Sequence, residues 1–416
     1  MDFDSRLAAW IQKLADRVPA FRSLLHCTIP EQIERGYFHT LREICQQPLT
    51  WDATADLAVN RLADLKECIW GGRGEETIRS LVLTGSGSSY YAAECLAMHL
   101  QHGLGFPATS ITSGQLLTHR ARVFPPSRPC LLVSLARSGD SPESGAVVRA
   151  MLACEPDCRH LVITCNENGG LARDFGGDRR LRVLTLAPQT CDRSLVMTSS
   201  FTNMIVAGWA LAKLDQIEHY QRTVRAVSAI GSDILLHHAT ALASVASRKF
   251  PSAVYLASGD RLGAAHECAL KMLESTAGRV HTLADTYLGL RHGPMSAVHE
   301  STLIVCFLSS DSSVRPYELD LIAELNRKQI GAARIVLGAS VPRELVRDQD
   351  VAIECAGLES PGDGYSGIID VLAGQLLAFF RSMQEGLHPD SPSDGGIINR
   401  VVERFPIYPA DVEDCL

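Results

Sequence analysis

Residues 130–144, Cys-Leu-Leu-Val-Ser-Leu-Ala-Arg-Ser-Gly-Asp-Ser-Pro-Glu-Ser, constrain what this chain can fold into more than any other stretch. Leu131 to Leu135 is a short apolar run of the kind that forms a buried parallel strand. It gives way to Ala136-Arg137-Ser138-Gly139-Asp140-Ser141, a loop crowded with hydroxyls and backbone amides. Pro142 then stands where a first helical residue belongs, with Ser141 ahead of it as N-cap. The helix continues through Ala146, Val147, Val148 and Met151. A strand that ends in such a loop and opens a helix offers unsatisfied N–H groups and a positive dipole end to an anion. Arg137 adds fixed charge beside it. A serine-rich turn without a ligand can have the same sequence, so the rest of the chain must decide.

The same arrangement recurs. Ser80 to Thr84 reads as a buried strand, Gly85-Ser-Gly-Ser-Ser89 as a turn and Tyr90 to Leu100 as a helix. Further strands are predicted at Leu161–Cys165 and Arg182–Leu186. The turn after the first strand is not a dinucleotide fingerprint: Tyr90 stands at the third glycine position, and no acidic residue ends a clear second strand. Val254-Tyr-Leu-Ala-Ser-Gly259 repeats Val82-Leu-Thr-Gly-Ser-Gly87 at an offset of 172 residues, and each precedes a helix with a Glu-Cys pair, Glu267-Cys268 and Glu94-Cys95. Strands at Leu303–Leu308 and Ile335–Leu337, with helices near Leu319–Arg327 and Ile368–Gln384, complete the second set. Strands alternating with helices imply parallel sheets with right-handed crossovers, and the recurrence implies a duplicated α/β unit.

Around these units the pattern is helical. Leu7, Ala8, Ile11 and Leu14 recur at helical spacing, as do Leu57, Leu62, Leu65 and Cys68. Thr28-Ile-Pro-Glu31 has the form of a helix start with Pro30 as first residue. Gly71-Gly-Arg-Gly74 is a break. A helix opens at Thr198-Ser199-Ser200, and a long one is expected between Ile217 and Ser247. The expected organisation is a helical extension over 1–75, α/β domains over 76–230 and 231–385, and a tail over 386–416.

Composition narrows the function class. A chain of 416 residues exceeds one ordinary core, so two domains are expected. The net charge of −8 and pI near 6.0 argue against nucleic acid as a partner. No apolar run has the length of a membrane span, and the N-terminus lacks the pattern of a signal peptide, so a cytoplasmic protein is expected. The 13 cysteines form no CxxC and the 14 histidines no HExxH. The cysteines are read as reduced, mostly buried thiols, and no metal or other cofactor is expected.

Two further segments carry chemistry. In the helix Ala264–Gly278, Glu267, Lys271 and Glu274 fall at i, i+4 and i+7 and project from one face. A solvated face with a Glu–Lys pair, worth about 0.2–0.5 kcal/mol, fits this spacing. So does a general base tuned by a lysine one turn away. Downstream, Asp285-Thr-Tyr-Leu-Gly-Leu-Arg-His-Gly-Pro294 holds His292 on a constrained loop, where a group titrating near neutral pH suits catalysis better than most. His266, His281, His299 and the pair His237-His238 have no such context and are read as structural.

Together these pieces resemble the sugar isomerase (SIS) domain family in its tandem form. The Gly85–Ser89 turn, the Ser134–Ser144 loop and the Glu267–Glu274 helix followed by His-Gly-Pro are similar to the isomerase half of glucosamine-6-phosphate synthase. A closer likeness is to the bacterial galactosamine-6-phosphate deaminase/isomerase family, long labelled tagatose-6-phosphate ketose/aldose isomerase. It runs from Tyr37-Phe-His-Thr-Leu-Arg-Glu-Ile44 through Ala136–Ser144, Met197-Thr-Ser-Ser-Phe-Thr-Asn203 and Leu288–Pro294 to Ile398-Asn-Arg-Val-Val402. The resemblance implies two tandem SIS domains, each a parallel sheet flanked by helices. It implies that Ser88, Ser89, Ser138, Ser141 and Ser199, with Arg137, hold a sugar phosphate.

The same resemblance makes Glu274 the base between C1 and C2, with Glu267 and Lys271 beside it, and His292 the group that opens the sugar ring. In related enzymes that histidine comes from the partner subunit, which implies a homodimer or larger oligomer with shared sites. The synthase holds its ketose through a lysine near the C-terminus; here Arg404 is the candidate counterpart, and a guanidinium forms no Schiff base. The expected activity is deamination and isomerisation of an aminosugar phosphate. A ketose/aldose isomerase that never meets an amino group, and a sugar-phosphate-binding regulator without turnover, are the alternatives. Intact Glu274, Lys271 and His292 argue against the regulator, as does the lack of a basic DNA-binding arm in residues 1–75. A glutamine-fed synthase is disfavoured because no cysteine nucleophile follows Met1.

Overall fold

Residues 2–175, 177–393 and 395–408 are described in the computed structural model of the chain. Six helices come first: α1 (Phe3–Arg17), α2 (Pro19–Leu25), α3 (Ile29–Glu34), α4 (Phe38–Cys45), α5 (Gln47–Asn60) and α6 (Leu62–Trp70). There follow β1 (Ser80–Gly85), α7 (Ser88–Leu104), β2 (Ala108–Thr112), α8 (Ser113–Val123), β3 (Cys130–Ala136), α9 (Pro142–Cys154), β4 (Cys158–Thr164), α10 (Gly170–Arg173) and β5 (Leu181–Thr185). Helices α11 (Ser199–Trp209), α12 (Ile217–Asp233) and α13 (Ala239–Ala246) lead to the second series. That series is β6 (Ser252–Ala257), α14 (Leu262–Ser275), β7 (His281–Thr286), α15 (Tyr287–Leu290), β8 (Thr302–Phe307), α16 (Arg315–Lys328), β9 (Ala333–Gly338), β10 (Val351–Glu354) and α17 (Gly367–Gln384).

Each series folds into one five-stranded sheet, parallel throughout, in the orders β2-β1-β3-β4-β5 and β10-β9-β8-β6-β7. Counted from its own first strand, each sheet therefore runs 2-1-3-4-5. The inner strands β1, β3, β8 and β9 are buried along their whole length, and β4 and β6 at all but one residue, as near-continuous apolar runs between two helical layers require. The chain is a mixed α/β protein of two tandem SIS-type sheets with a helical N-terminal region.

The chain divides into two compact units. One, containing the first sheet, comprises 50–191, 199–224 and 398 onward; the other, containing the second, comprises 1–49, 192–198 and 225–397. The helical N-terminal region is thus not a unit of its own. In the second unit the N-terminus of α4 is held by Asp390, whose carboxylate accepts from the Thr40 amide at 2.7 Å and the His39 amide at 3.1 Å. The helix start expected at Thr28 is α3, closed by a capping box in which the Glu31 carboxylate accepts from the Thr28 amide at 2.7 Å, although Pro30 is its second residue and not its first. The tail expected over 386–416 is described as far as 408, except for residue 394; 394 and 409–416 lie outside the described residues. Among the described residues eleven cysteines are free thiols, nine of them buried, whereas Cys154 is disulfide-bonded, contrary to the all-reduced reading.

Candidate functional site

A parallel sheet in the order 2-1-3-4-5 has one place where the chain departs to opposite sides from neighbouring strands. There the loops part and leave a crevice beyond the carboxyl ends of the strands. In the first sheet this place lies between β1 and β3, paired from Ser80↔Cys130 to Thr84↔Ser134. Both loops singled out in the sequence therefore emerge side by side.

After β1, Gly85 lets the chain fold back tightly: a Cβ there would lie 2.6 Å from the Ser89 carbonyl carbon. Gly87, at φ +56°, turns directly into α7, whose first two residues are the buried Ser88 and Ser89. After β3, Arg137 and Ser138 precede Gly139 at φ +70°, and Ser141 stands at the N-cap with Pro142 first in α9. Neither α7 nor α9 has a side-chain N-cap bond, so their leading amides are not consumed by a capping side chain. The β3–α9 loop is held from behind. Asn166 donates to the Ser138 carbonyl at 2.9 Å, and the Asp140 carboxylate accepts from the Gly170 amide at 2.9 Å.

Ser199 opens α11, buried, and α11 packs on α7. Its first turn is fixed by residues the sequence reading missed. Asn203 donates to Thr50 Oγ1 and to the Ser199 carbonyl, both at 2.8 Å, and accepts from Thr54 at 2.7 Å; Trp51 Nε1 donates to Thr202 at 2.8 Å. Arg137 is buried and donates to the backbone carbonyl of Arg400. Arg404 is exposed, and among the described residues no hydrogen bond holds its guanidinium. The first unit thus gathers the expected anion-binding residues at helix N-termini, with Arg404 on an irregular segment.

The second unit carries the proposed acid–base group. On α14, Lys271 Nζ lies 3.4 Å from Glu267 Oε1 and is hydrogen-bonded to Glu274 Oε2. The side chains of Glu267 and Lys271 are 0% and 2% exposed, and that of Glu274 is 23% exposed. The three-residue face is therefore not solvated; one carboxylate and the ammonium are enclosed, and only Glu274 reaches toward solvent. His292 follows α15 on a loop anchored by Arg291, which pairs with Asp320 and Glu324 at 2.7 Å each. Its ring is exposed, and among the described residues no hydrogen bond or ion pair joins it to the α14 group.

The equivalent crevice of the second sheet, between β6 and β8, is filled by the protein's own charges. The amide of Ser309 donates to Glu318 at 2.7 Å and that of Ser310 to Asp363 at 2.9 Å. Arg261, fully buried, pairs with Asp370 at 2.5 and 2.7 Å and donates to the Leu308 carbonyl. Burial pushes the Asp370 carboxyl up to about 6 against the pull of Arg261, and raises Glu318 as well. Carboxylates occupy the amides there, while the crevice of the first sheet presents hydroxyls.

A second buried acidic pair was also illegible in the sequence. Glu43 of α4 accepts from the Arg193 amide and the Ser194 hydroxyl, both at 2.5 Å, and Asp192 accepts from the amide and hydroxyl of Thr198 at 2.8 and 2.9 Å. Burial, and then the charge of Asp192, pushes the Glu43 carboxyl up to about 8. Among the described residues no group of three His, Cys, Asp or Glu side chains is placed to hold a metal ion, and no helix is long and apolar enough to cross a membrane.

Comparison with known proteins agrees with this architecture. Residues 77–214 match the SIS domain. The chain is 34% identical over 389 residues to the D-galactosamine-6-phosphate deaminase AgaS of Escherichia coli, covering 89% of this chain and 95% of that protein. It is 31% identical over 377 residues to the protein of the same name from Shewanella sp. (strain ANA-3), covering 90% and 92%. Among solved structures, tagatose-6-phosphate ketose/aldose isomerase from E. coli superposes with a TM-score of 0.79 at 30% identity, covering 89% of this chain and 96% of that one. The C-terminal domain of glucosamine-fructose-6-phosphate aminotransferase from Francisella tularensis shares the fold, with a TM-score of 0.70 at 18% identity over 84% of this chain and 96% of that one.

Proposed function

Because this chain belongs to the SIS-domain family that includes the D-galactosamine-6-phosphate deaminases, we propose that it converts D-galactosamine 6-phosphate to tagatose 6-phosphate and ammonia. The observation that carries the reading is the enclosed Glu267–Lys271–Glu274 ladder on α14. A protein that only sensed a sugar phosphate would need an anion cradle but no buried ammonium beside a half-accessible carboxylate. Keeping Lys271 out of water is costly unless its charge is used and paired.

In this reading Ser88, Ser89, Ser138, Ser141 and Ser199 hold the phosphate through hydroxyls and helix-end amides. His292 assists opening of the ring to the C1 aldehyde; its exposure suits delivery from a second copy of the chain, in a homodimer or larger assembly. Glu274 removes the C2 proton, and the C–H electron pair forms the C1=C2 bond of an enolamine while the carbonyl oxygen takes a proton. The glutamic acid returns its proton to C1, leaving an imine at C2. Water adds to that carbon and ammonia leaves, giving the C2 ketone. Lys271, hydrogen-bonded to Glu274 Oε2, holds that carboxylate in place for the step. Arg404, lacking the nucleophilic amine of a lysine, contributes charge toward the phosphate, and the imine stays free of the protein. The chain is taken to work in the cytoplasm without a metal or redox cofactor.

The name of the E. coli structure favours a second reading, ketose/aldose isomerisation without deamination, in which Glu274 would do the same work. The test of the base is Glu274→Gln. Sugar-phosphate binding should stay within about threefold while turnover falls by about 10²–10⁴-fold, the usual worth of a positioned general base. Near-normal turnover would remove Glu274 from the chemistry.

A further inference from the structure

The geometry points to Arg137 as the residue that positions the C-terminal segment at the phosphate loop, rather than as a ligand of the phosphate. The assignment rests on the reading of residues 134–144 as that loop. Arg137 directly follows β3, next to Ser138, and its side chain is buried. A guanidinium committed to an anion would point its donors at the crevice; this one spends an Nη2–H on the backbone carbonyl of Arg400.

What it holds explains why an arginine stands there. Residues 395–408 contain no helix or strand, and among them Arg400 and Val401 are the most withdrawn from solvent, with Ile398, Phe405 and Ile407 still 38–44% exposed. The segment follows Gly395 and Gly396 at φ +92° and +69°, a pair that leaves the chain ahead of it free to turn. Such a stretch has a large conformational entropy to lose and few contacts to offset the loss. Arg400 is a fixed point in it: the carbonyl is taken by Arg137, and the guanidinium reaches Cys191 Sγ at 3.5 Å. Arginine suits the task because a long stem carries a planar, permanently charged set of donors to a neutral acceptor. Arg404 lies four residues beyond the anchor, so at about 3.5 Å per residue it stays within about 14 Å of it.

The carbonyl that Arg137 grips belongs to the Arg400–Val401 peptide bond, which trypsin would attack. The bond after Arg404, on an exposed residue of the same segment, is an internal control. Mass-spectrometric timing of both cleavages in the ligand-free full chain reads the anchor directly. Arg137→Met, which keeps the stem and removes the donors, should raise the ratio of cleavage after Arg400 to cleavage after Arg404 at least tenfold. Arg137→Lys, which keeps a donor, should hold that ratio within about twofold of the unaltered protein. Arg137→Ala serves where the Met variant does not fold. An unchanged ratio in the Met or Ala variant would overturn the assignment, and a loss of phosphate affinity alongside it would return Arg137 to the phosphate. No substrate enters this assay, so failure of the deaminase reading would show separately, as absence of turnover.

Discussion

Replacing Lys271 by methionine tests the α14 ladder where it is most exposed to refutation. Methionine fills nearly the same volume without the charge. The ammonium is 3.4 Å from Glu267 Oε1, and both side chains are withdrawn from solvent. At an effective dielectric constant near 20, two unit charges at that distance interact by about 5 kcal/mol. Desolvation of both ions offsets much of this, so the pair as a whole adds little; removing one partner strands the other and costs about 3–5 kcal/mol. Glu274, partly open to water, contributes little to this sum. Urea unfolding near pH 7.5 should therefore show Lys271→Met less stable by about 3–5 kcal/mol, a large share of the stability of an ordinary domain. Lys271→Met/Glu267→Gln should recover most of the loss, because the stranded charge has gone. A single variant within about 1 kcal/mol of the parent, or a double variant no better than the single one, would refute the buried-pair argument.

Two further perturbations follow from the same geometry. Glu43 is held protonated in the folded chain up to about pH 8, whereas in the unfolded chain it ionises near 4.5. The folded state therefore binds the extra proton, and this group's stabilising share is full below pH 4.5 and lost as the pH rises to about 8. Relative to the parent, Glu43→Gln should gain stability steadily from pH 5 to pH 8 in denaturant melts; a constant difference across that range would contradict the assignment. Gly85→Ala places a methyl group 2.6–2.8 Å from the backbone of Ser89 and must displace the start of α7. It should cost about 1–3 kcal/mol in stability and weaken sugar-phosphate binding measured by calorimetry, whereas unaltered binding would separate the β1–α7 turn from the phosphate.

The legibility of this fold in its sequence followed burial. Seven strands were readable: six are inner strands of a parallel sheet, apolar on both faces, as in Leu131–Leu135 and Leu303–Leu308, and the seventh, β5, is a sheet-edge strand. The three that escaped, β2, β7 and β10, are sheet-edge strands with half-exposed sequences such as Ala108-Thr-Ser-Ile-Thr112 and His281-Thr-Leu-Ala-Asp-Thr286. The long helix expected from Ile217 to Ser247 is interrupted by a π-helical turn at Ile234–His238, which no breaker residue announces. Among the candidate residues, local spacing sufficed to place Glu267, Lys271 and Glu274 on one helix and the serines at or near helix starts. It could not tell a solvated face from an enclosed one, because that depends on the packing of α17 and β7 over α14. Partnerships across some 150 residues, Glu43 with Ser194 and Thr54 with Asn203, left no local trace. The only hint was polar residues standing in otherwise apolar helices. Arg137 was visible as a charge beside the serine-rich loop, but its attachment to Arg400 spans 263 residues and needed the fold.

The most direct test of the proposed activity is ammonia release by the purified protein offered galactosamine 6-phosphate, with glucosamine 6-phosphate alongside and tagatose 6-phosphate followed for aldose formation. The account predicts ammonia and tagatose 6-phosphate in equal amounts from the galacto substrate. Ketose–aldose interconversion with no ammonia from either aminosugar phosphate would contradict the deaminase reading and leave the plain isomerase in its place.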